Sequence, residues 1–215
     1  MKVIPVKTKI LTSRDDIVRT ILHYAKDDLG PDDVITVAET VLAITQGRTK
    51  RPEKMKPSFL AKVLCRLFPQ YGSIPAWHSM QALMEEEGQL RVLFAVIVGF
   101  FAKLVGKSGV FYQMAGEQAK LIDDVTGTMP PFDKYMVYGP KNSAQVVENI
   151  RIATGCYGAA VVDVNDLKRV AVLAASSGLS EDDLMNLLID NPFGNDSQKT
   201  PIVIIKDYKQ HMAAV

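Results

Sequence analysis

Residues 136–166 read MVYGPKNSAQVVENIRIATGCYGAAVVDVND, and this stretch decides the fold. Met136, Val137 and Tyr138 suit a pleated, half-buried surface. Gly139-Pro140 then stops the strand, because glycine frees φ and proline removes a backbone donor. Asn142 or Ser143 can accept from the first free N–H groups of a helix whose apolar positions Val146, Val147, Ile150 and Ala153 recur at helical spacing. Gly155 ends that helix. The run Ala159 to Val162 is short and continuously apolar, as a strand covered on both faces should be. It delivers Asp163, Asn165 and Asp166 to its carboxyl end, where α/β sheets usually keep their chemistry.

Two acids and an amide at a strand end admit two readings. They are oxygen donors suited to a hard cation, which can neutralise a phosphate. They are equally the residues that populate strand-to-loop turns for backbone reasons alone.

Working outward, the amino-terminal side opens with a β-like segment, Val3 to Ile10, in which Pro5 demands an edge or a strand start. Ser13 is placed to cap a helix from Arg14 toward Leu29, closed by Gly30-Pro31. Val34 to Ala38 and Val41 to Ile44 read as a strand pair or one bent strand, with Glu39 between them facing a cleft. In Gly47 to Pro57, Arg48, Lys50, Arg51, Lys54 and Lys56 gather in a proline-bounded loop. A solvated basic loop is one reading, and a clamp for phosphate or carboxylate is the other.

Pro57 to Phe68, Pro75 to Glu87 and Gln89 to Val105 are helix-like. The last is apolar around more than one face, which predicts a core or interface helix, and its longest apolar run, Val92 to Ala102, is too short to span a bilayer. Val110 to Met114 reads as a short strand. Glu117, Asp123 and Asp124 beyond it either complete an oxygen cage with Asp163 or form surface turns. Gly127 to Pro131 reads as the loop joining two lobes, 1–126 and 127–215. Leu167 to Ala175 is apolar enough for strand or helix, Ser180 and Asp183 start a helix through Ile189, and Pro201 to Ile205 is the last strand. The tail from Asp207 has little to hold it.

Lysines and arginines number 25 against 24 acids, so no global field draws the chain to nucleic acid or an anionic membrane. Cys65 and Cys156 have no CxxC spacing and read as reduced, structural thiols. The opening MKVIPVKTKI has no apolar core behind its lysines, as a secretory signal would, and a cytoplasmic location is expected. His23, His78 and His211 are isolated, and Gly106-Lys107-Ser108-Gly109 has Phe101 where a phosphate-binding loop needs glycine. No GxGxxG, GxSxG or HExxH occurs.

The order of these motifs resembles the coenzyme F-420-0:L-glutamate ligase (gamma-glutamyl ligase) family over most of the chain. The resemblance is carried by Val3-Ile4-Pro5-Val6 with Asp15-Asp16, and by Asp33-Val34 leading through Val37–Gln46 into Gly47-Arg48, similar to a signature ending in Glu-Gly-Arg. It is carried further by Gln113-Met114-Ala115-Gly116, by Gly139–Ala144 followed by a helix and Val161-Val162-Asp163, and by Gln198–Ile205. It implies an α+β, two-lobed chain paired as a homodimer, and a GTP-dependent amide ligase using Mg²⁺ or Mn²⁺ on a carboxylated or phosphorylated small molecule. Such enzymes join L-glutamate to a phospholactyl deazaflavin. On that carry-over Asp163, with Asp166, Asp123 and Glu117, would hold metal, and Arg48, Lys50, Arg51, Asn142 and Ser143 would face anionic substrate. The chain departs from the pattern at Ala43 and Ile44, at Gln46 where the family has Glu, at Gln118 where it has Asp, and after Asp163, where Val164-Asn165-Asp166 replaces an Arg- and Trp-containing run. Those departures support the alternative of a non-catalytic relative that binds a ligand.

Overall fold

The computed structural model describes residues 1–69, 73–123, 130–194 and 197–212. In chain order the elements are β1 (Val3–Val6), α1 (Ile17–Tyr24), β2 (Val34–Ala38), α2 (Glu39–Thr45), β3 (Thr49–Lys50), α3 (Phe59–Leu64), α4 (Trp77–Glu87), α5 (Gln89–Leu104), α6 (Val110–Met114) and α7 (Gln118–Leu121). They continue with β4 (Met136–Val137), α8 (Ser143–Thr154), β5 (Gly158–Asn165), β6 (Arg169–Ala175), α9 (Glu181–Leu188), β7 (Ile202–Ile205) and α10 (Tyr208–Met212). The class is α+β, as expected, with a mixed sheet.

Two compact units form, but not by one cut in the chain. Met1–Gly47 joins Pro140–Val215 in the first, and Arg48–Gly139 makes the second. The expected division into 1–126 and 127–215 is therefore corrected. Strands β2 and β5, on either side of it, are hydrogen-bonded neighbours in register from Val34↔Gly158 to Ala38↔Val162. Most of the expected joining loop, including Gly127, lies outside the described residues.

The first unit is built on a five-stranded sheet ordered β1-β7-β2-β5-β6. Only β2 and β5 are parallel; each other pair is antiparallel. Alternate residues of β5 serve the two faces, as a pleated strand requires. Ala159 and Val161 join Ile17 and Ile21 of α1, Leu42 of α2, and Val147 and Ile150 of α8 in one core. Ala160 and Val162 join Leu184 and Leu188 of α9 and Tyr208 of α10 in the other. Each fully buried valine, leucine or isoleucine among them contributes about 1.5–3 kcal/mol through burial.

Several local readings change. Val41 to Ile44 is helix, not strand: β2 pairs only as far as Ala38, and Val41 and Ile44, three apart, suit a helix as well as a strand. Helix α1 is capped by Asp16, which accepts from Arg19 N, rather than by Ser13. The preceding Asp15 accepts from Thr12 N and Oγ1 and closes a turn there. Strand β1 stops at Val6, short of Ile10. The carboxyl-terminal tail is held: Tyr208 is fully buried, its hydroxyl accepts from Ser180 N, and Lys209 N donates to Asp32 O. Beside it, buried Asp33 accepts from Gly30 N, Asp207 N and Lys206 Nζ.

The second unit is mostly helical, with a two-stranded β3–β4 ladder. Its core gathers Leu64, Met80, Leu83, Met84, Val92, Val96 and Phe111. Val110 to Met114, expected as a strand, is helix α6. Phe111 packs against Gly99 of α5, where an added Cβ would sit 3.1 Å from Phe111 Cβ.

Candidate functional site

The carboxyl end of the parallel β2–β5 pair is where the first unit gathers polar groups. Because Ala38 stands opposite Val162, the next residues along, Glu39 and Asp163, are neighbours at that end. Glu39 opens α2, and Asp163 lies on β5, on the side of the sheet shared by Ala159 and Val161. Helix α8 packs on this same side through Val147 and Ile150, and it runs antiparallel to β5, so its amino terminus returns to the same end.

Asp163 is exposed, yet the protein around its strand withdraws enough water to push its carboxyl above the ordinary range. Burial is the cause of that rise. The sequence predicts that Glu39 faces a cleft, but not that it follows the β2–β5 ladder alongside Asp163. The signal was its place at the end of a strand, and the parallel register supplies the rest.

Asp166 goes elsewhere. Its Oδ1 accepts from Asn191 Nδ2 at 2.7 Å, while Asn165 Oδ1 accepts from Leu167 N and Arg169 N and closes the β5–β6 hairpin. Asn191 adjoins Phe193 of the opposite core, so Asp163 and Asp166 serve different sides of the sheet. The turn reading holds for Asn165. Glu117 and Asp123 belong to the second unit; Glu117 precedes α7, and the Asp123 backbone bridges to Val137. Asp124 lies outside the described residues. Among the described residues no three His, Cys, Asp or Glu side chains are gathered as a metal cluster.

Asn142 adopts a left-handed φ of 55° before α8 and gives it no side-chain cap. The leading N–H groups at Ser143 and beyond are thus left to an outside acceptor. The loop ahead of them is fixed by Gln46, whose amide donates to Lys141 O and accepts from Lys141 N, each at 2.8 Å.

In the second unit Gln118 does the same to Gly139. Its Oε1 accepts from Gly139 N at 3.0 Å and its Nε2 donates to Gly139 O at 3.4 Å. A carboxylate at either position can accept the N–H but has nothing to donate to the carbonyl. Both positions are departures from the family pattern, and both have a structural reason for an amide.

The basic loop has partners within its own unit. Arg48 donates to Gly139 O, Glu86 and Gln118 and lies over the Tyr138 ring, 5.4 Å from its centroid. Lys50 pairs with Glu85 at 2.8 Å, and Arg51 lies over Tyr135. Burial, with Glu85 and Glu86 nearby, pushes the Tyr138 hydroxyl up to about 12, so it stays protonated. Arg48, Lys50 and Arg51 thus brace the β3–β4 ladder from within the unit, a role that neither the solvated-loop nor the clamp reading includes.

Comparison with protein families matches residues 5–154 to the F420-0:Gamma-glutamyl ligase model. The chain belongs to that family. The match runs from within β1 through α8, including Glu39, Arg48, Gln118 and Asn142, and ends before β5, so Asp163 lies beyond it. A search of curated proteins found no match. Among the described residues no helix is long and apolar enough to cross a membrane.

Proposed function

We propose that the chain is a GTP- and divalent-cation-dependent gamma-glutamyl (amide) ligase that joins the amine of glutamate to the carboxylate of a carboxylated or phosphorylated small molecule. The observation that carries this beyond family membership is the parallel register that ends at Ala38↔Val162, so that Glu39 and Asp163 follow at the carboxyl ends of β2 and β5, beside the uncapped start of α8. Asp163 and Glu39 would hold Mg²⁺ or Mn²⁺, with the remaining positions open to phosphate and water, as Mg²⁺ favours. The cation would supply charge neutralisation for the phosphates. The N–H groups at Ser143 would receive a phosphate oxygen. In the reaction a substrate carboxylate attacks the γ-phosphorus of GTP, releasing GDP. The amine of glutamate then attacks the acyl carbon, loses a proton, and releases inorganic phosphate as the amide forms.

A second reading, a ligand-binding relative without catalysis, is favoured by the internal engagement of Arg48, Lys50 and Arg51, which leaves the basic loop without an evident role toward substrate. Calorimetric titration separates the two. For a ligase, GTP binds in Mn²⁺ and not in EDTA, and Asp163→Asn and Glu39→Gln each abolish binding with the fold retained. Asp163→Asn leaves stability unchanged or raised, since the raised carboxyl pKa marks a charge the fold disfavours. Equal GTP binding in EDTA, or wild-type binding by both variants, assigns the chain to the second reading.

A further inference from the structure

We propose that the outward face of α5 docks on an anionic lipid surface. This inference is independent of the ligase reading. Helix α5 buries Val92, Ala95 and Val96 in its own unit. The other side carries Leu90, Phe94, Ile97, Phe101 and Leu104, spaced four, three, four and three residues apart, each between 47% and 83% exposed. Contiguous apolar surface of this kind marks an interaction site.

The surrounding charge selects the occupant. From Gly88 to Gly116 the chain has Arg91, Lys103 and Lys107 and no Asp or Glu. Arg91 is paired with Glu87 at 2.8 Å, whereas Lys103 and Lys107 are exposed beside the apolar end of the stripe. The same unit repeats the pattern in α3, where Phe59 and Val63 are exposed and residues 54–84 hold two lysines before the helix, Lys62 and Arg66 within and after it, and no acid. The near-zero net charge of the whole chain conceals this local excess.

A second copy meeting the face through a two-fold axis would set this surface, basic and without Asp or Glu from Gly88 to Gly116, against the same surface. Anionic headgroups answer Lys103 and Lys107, while the phenylalanines and leucines enter the acyl boundary. At about 24 Å for 16 residues, α5 is shorter than the roughly 30 Å hydrocarbon layer, and its other side is occupied by protein core. It therefore lies on the bilayer, not across it.

The test is co-sedimentation of the full chain with vesicles of phosphatidylcholine alone or mixed equally with phosphatidylglycerol, with light scattering on the free protein. Expected are binding to the mixed vesicles, little binding to phosphatidylcholine alone, and release by added salt. Phe94→Ser with Phe101→Ser lowers partitioning by at least about tenfold per phenylalanine withdrawn. Lys103→Glu with Lys107→Glu weakens binding to the anionic vesicles selectively. All four positions are exposed and circular dichroism checks the fold; if a variant unfolds, the lipid and salt dependence of the wild type still decides. A wild type that stays in the supernatant with anionic vesicles overturns the proposal. So does a dimer that Phe94→Ser/Phe101→Ser splits in the absence of vesicle binding, which gives the face to a second copy.

Discussion

Replacing Gln118 by leucine tests whether this departure from the family pattern is structural. Gln118 is 7% exposed and holds three contacts: it accepts from Gly139 N and Arg48 Nη2, and donates to Gly139 O. Leucine removes all three, but they are unequal. Gly139 O still receives Arg48 Nε, and Arg48 Nη2 still reaches Glu86. The stranded group is the buried Gly139 N–H, which costs about 1–3 kcal/mol, and the weakened Arg48 attachment adds roughly another 1 kcal/mol. A net loss of about 2–4 kcal/mol is expected. Gln118→Glu should lose less, because a carboxylate keeps both acceptor roles and opposes only the carbonyl. The assay is urea unfolding followed through Trp77, the sole tryptophan, which packs against the same core. The midpoint should move with the slope unchanged. Exposed Gln113→Leu serves as control and should stay within about 0.5 kcal/mol of wild type. Should Gln118→Leu behave like that control, the amide is not a clamp, and its substitution in the family pattern must be read as a lost ligand.

Two further outcomes follow from buried polar geometry. Burial alone would raise the Asp33 carboxyl, but Lys206 and the N–H groups of Asp207 and Gly30 outweigh it and hold the group below its usual 3.8. A depressed folded pKa stabilises above the unfolded value and loses that stability as pH falls through the folded one. Wild-type stability should therefore drop as pH falls below about 4, and Asp33→Asn should be less stable at neutral pH and lack that part of the acid sensitivity, as urea midpoints across pH would show. Gly116→Ala meets a different obstacle: at φ +106° its Cβ would fall 2.0 Å from the Glu87 carboxylate carbon, which is held by Arg91 and Gln118 N. A loss of about 2–4 kcal/mol is expected, and a wild-type melting temperature would remove the packing argument.

The elements legible in the sequence are those whose local signal and tertiary role agree. Ala159 to Val162 is covered on both sides, so its continuous apolar run identifies it directly. Helix α8 is bounded by its own Pro140 and by Gly155 at φ 71°. Short segments were ambiguous because Val41 and Ile44, or Val110 and Met114, satisfy strand preference and helical spacing alike. The unit boundaries were not legible at all, since they follow from β2 finding β5 more than a hundred residues away. Arg48 and Lys50 looked available because sequence shows charge but not Glu85 and Glu86 waiting across the fold.

These two kinds of legibility bear differently on the candidate site. If the family's ligand set were judged by residue identity alone, Gln46 and Gln118 would count as losses, yet each amide clasps the backbone N–H and C=O of one residue, Lys141 for Gln46 and Gly139 for Gln118. Asp163 presents the converse case, lying beyond the matched residues but tied to them by the parallel ladder with β2. A slip of one residue in that ladder would carry Asp163 to the opposite side of the sheet, away from α8, and would also turn Val161 and Val162 out of their cores. The burial of those two valines on opposite sides therefore enforces the register that brings Asp163 beside Glu39. The hydrophobic core, not a local acidic motif, is what brings these two residues to the same end of the ladder.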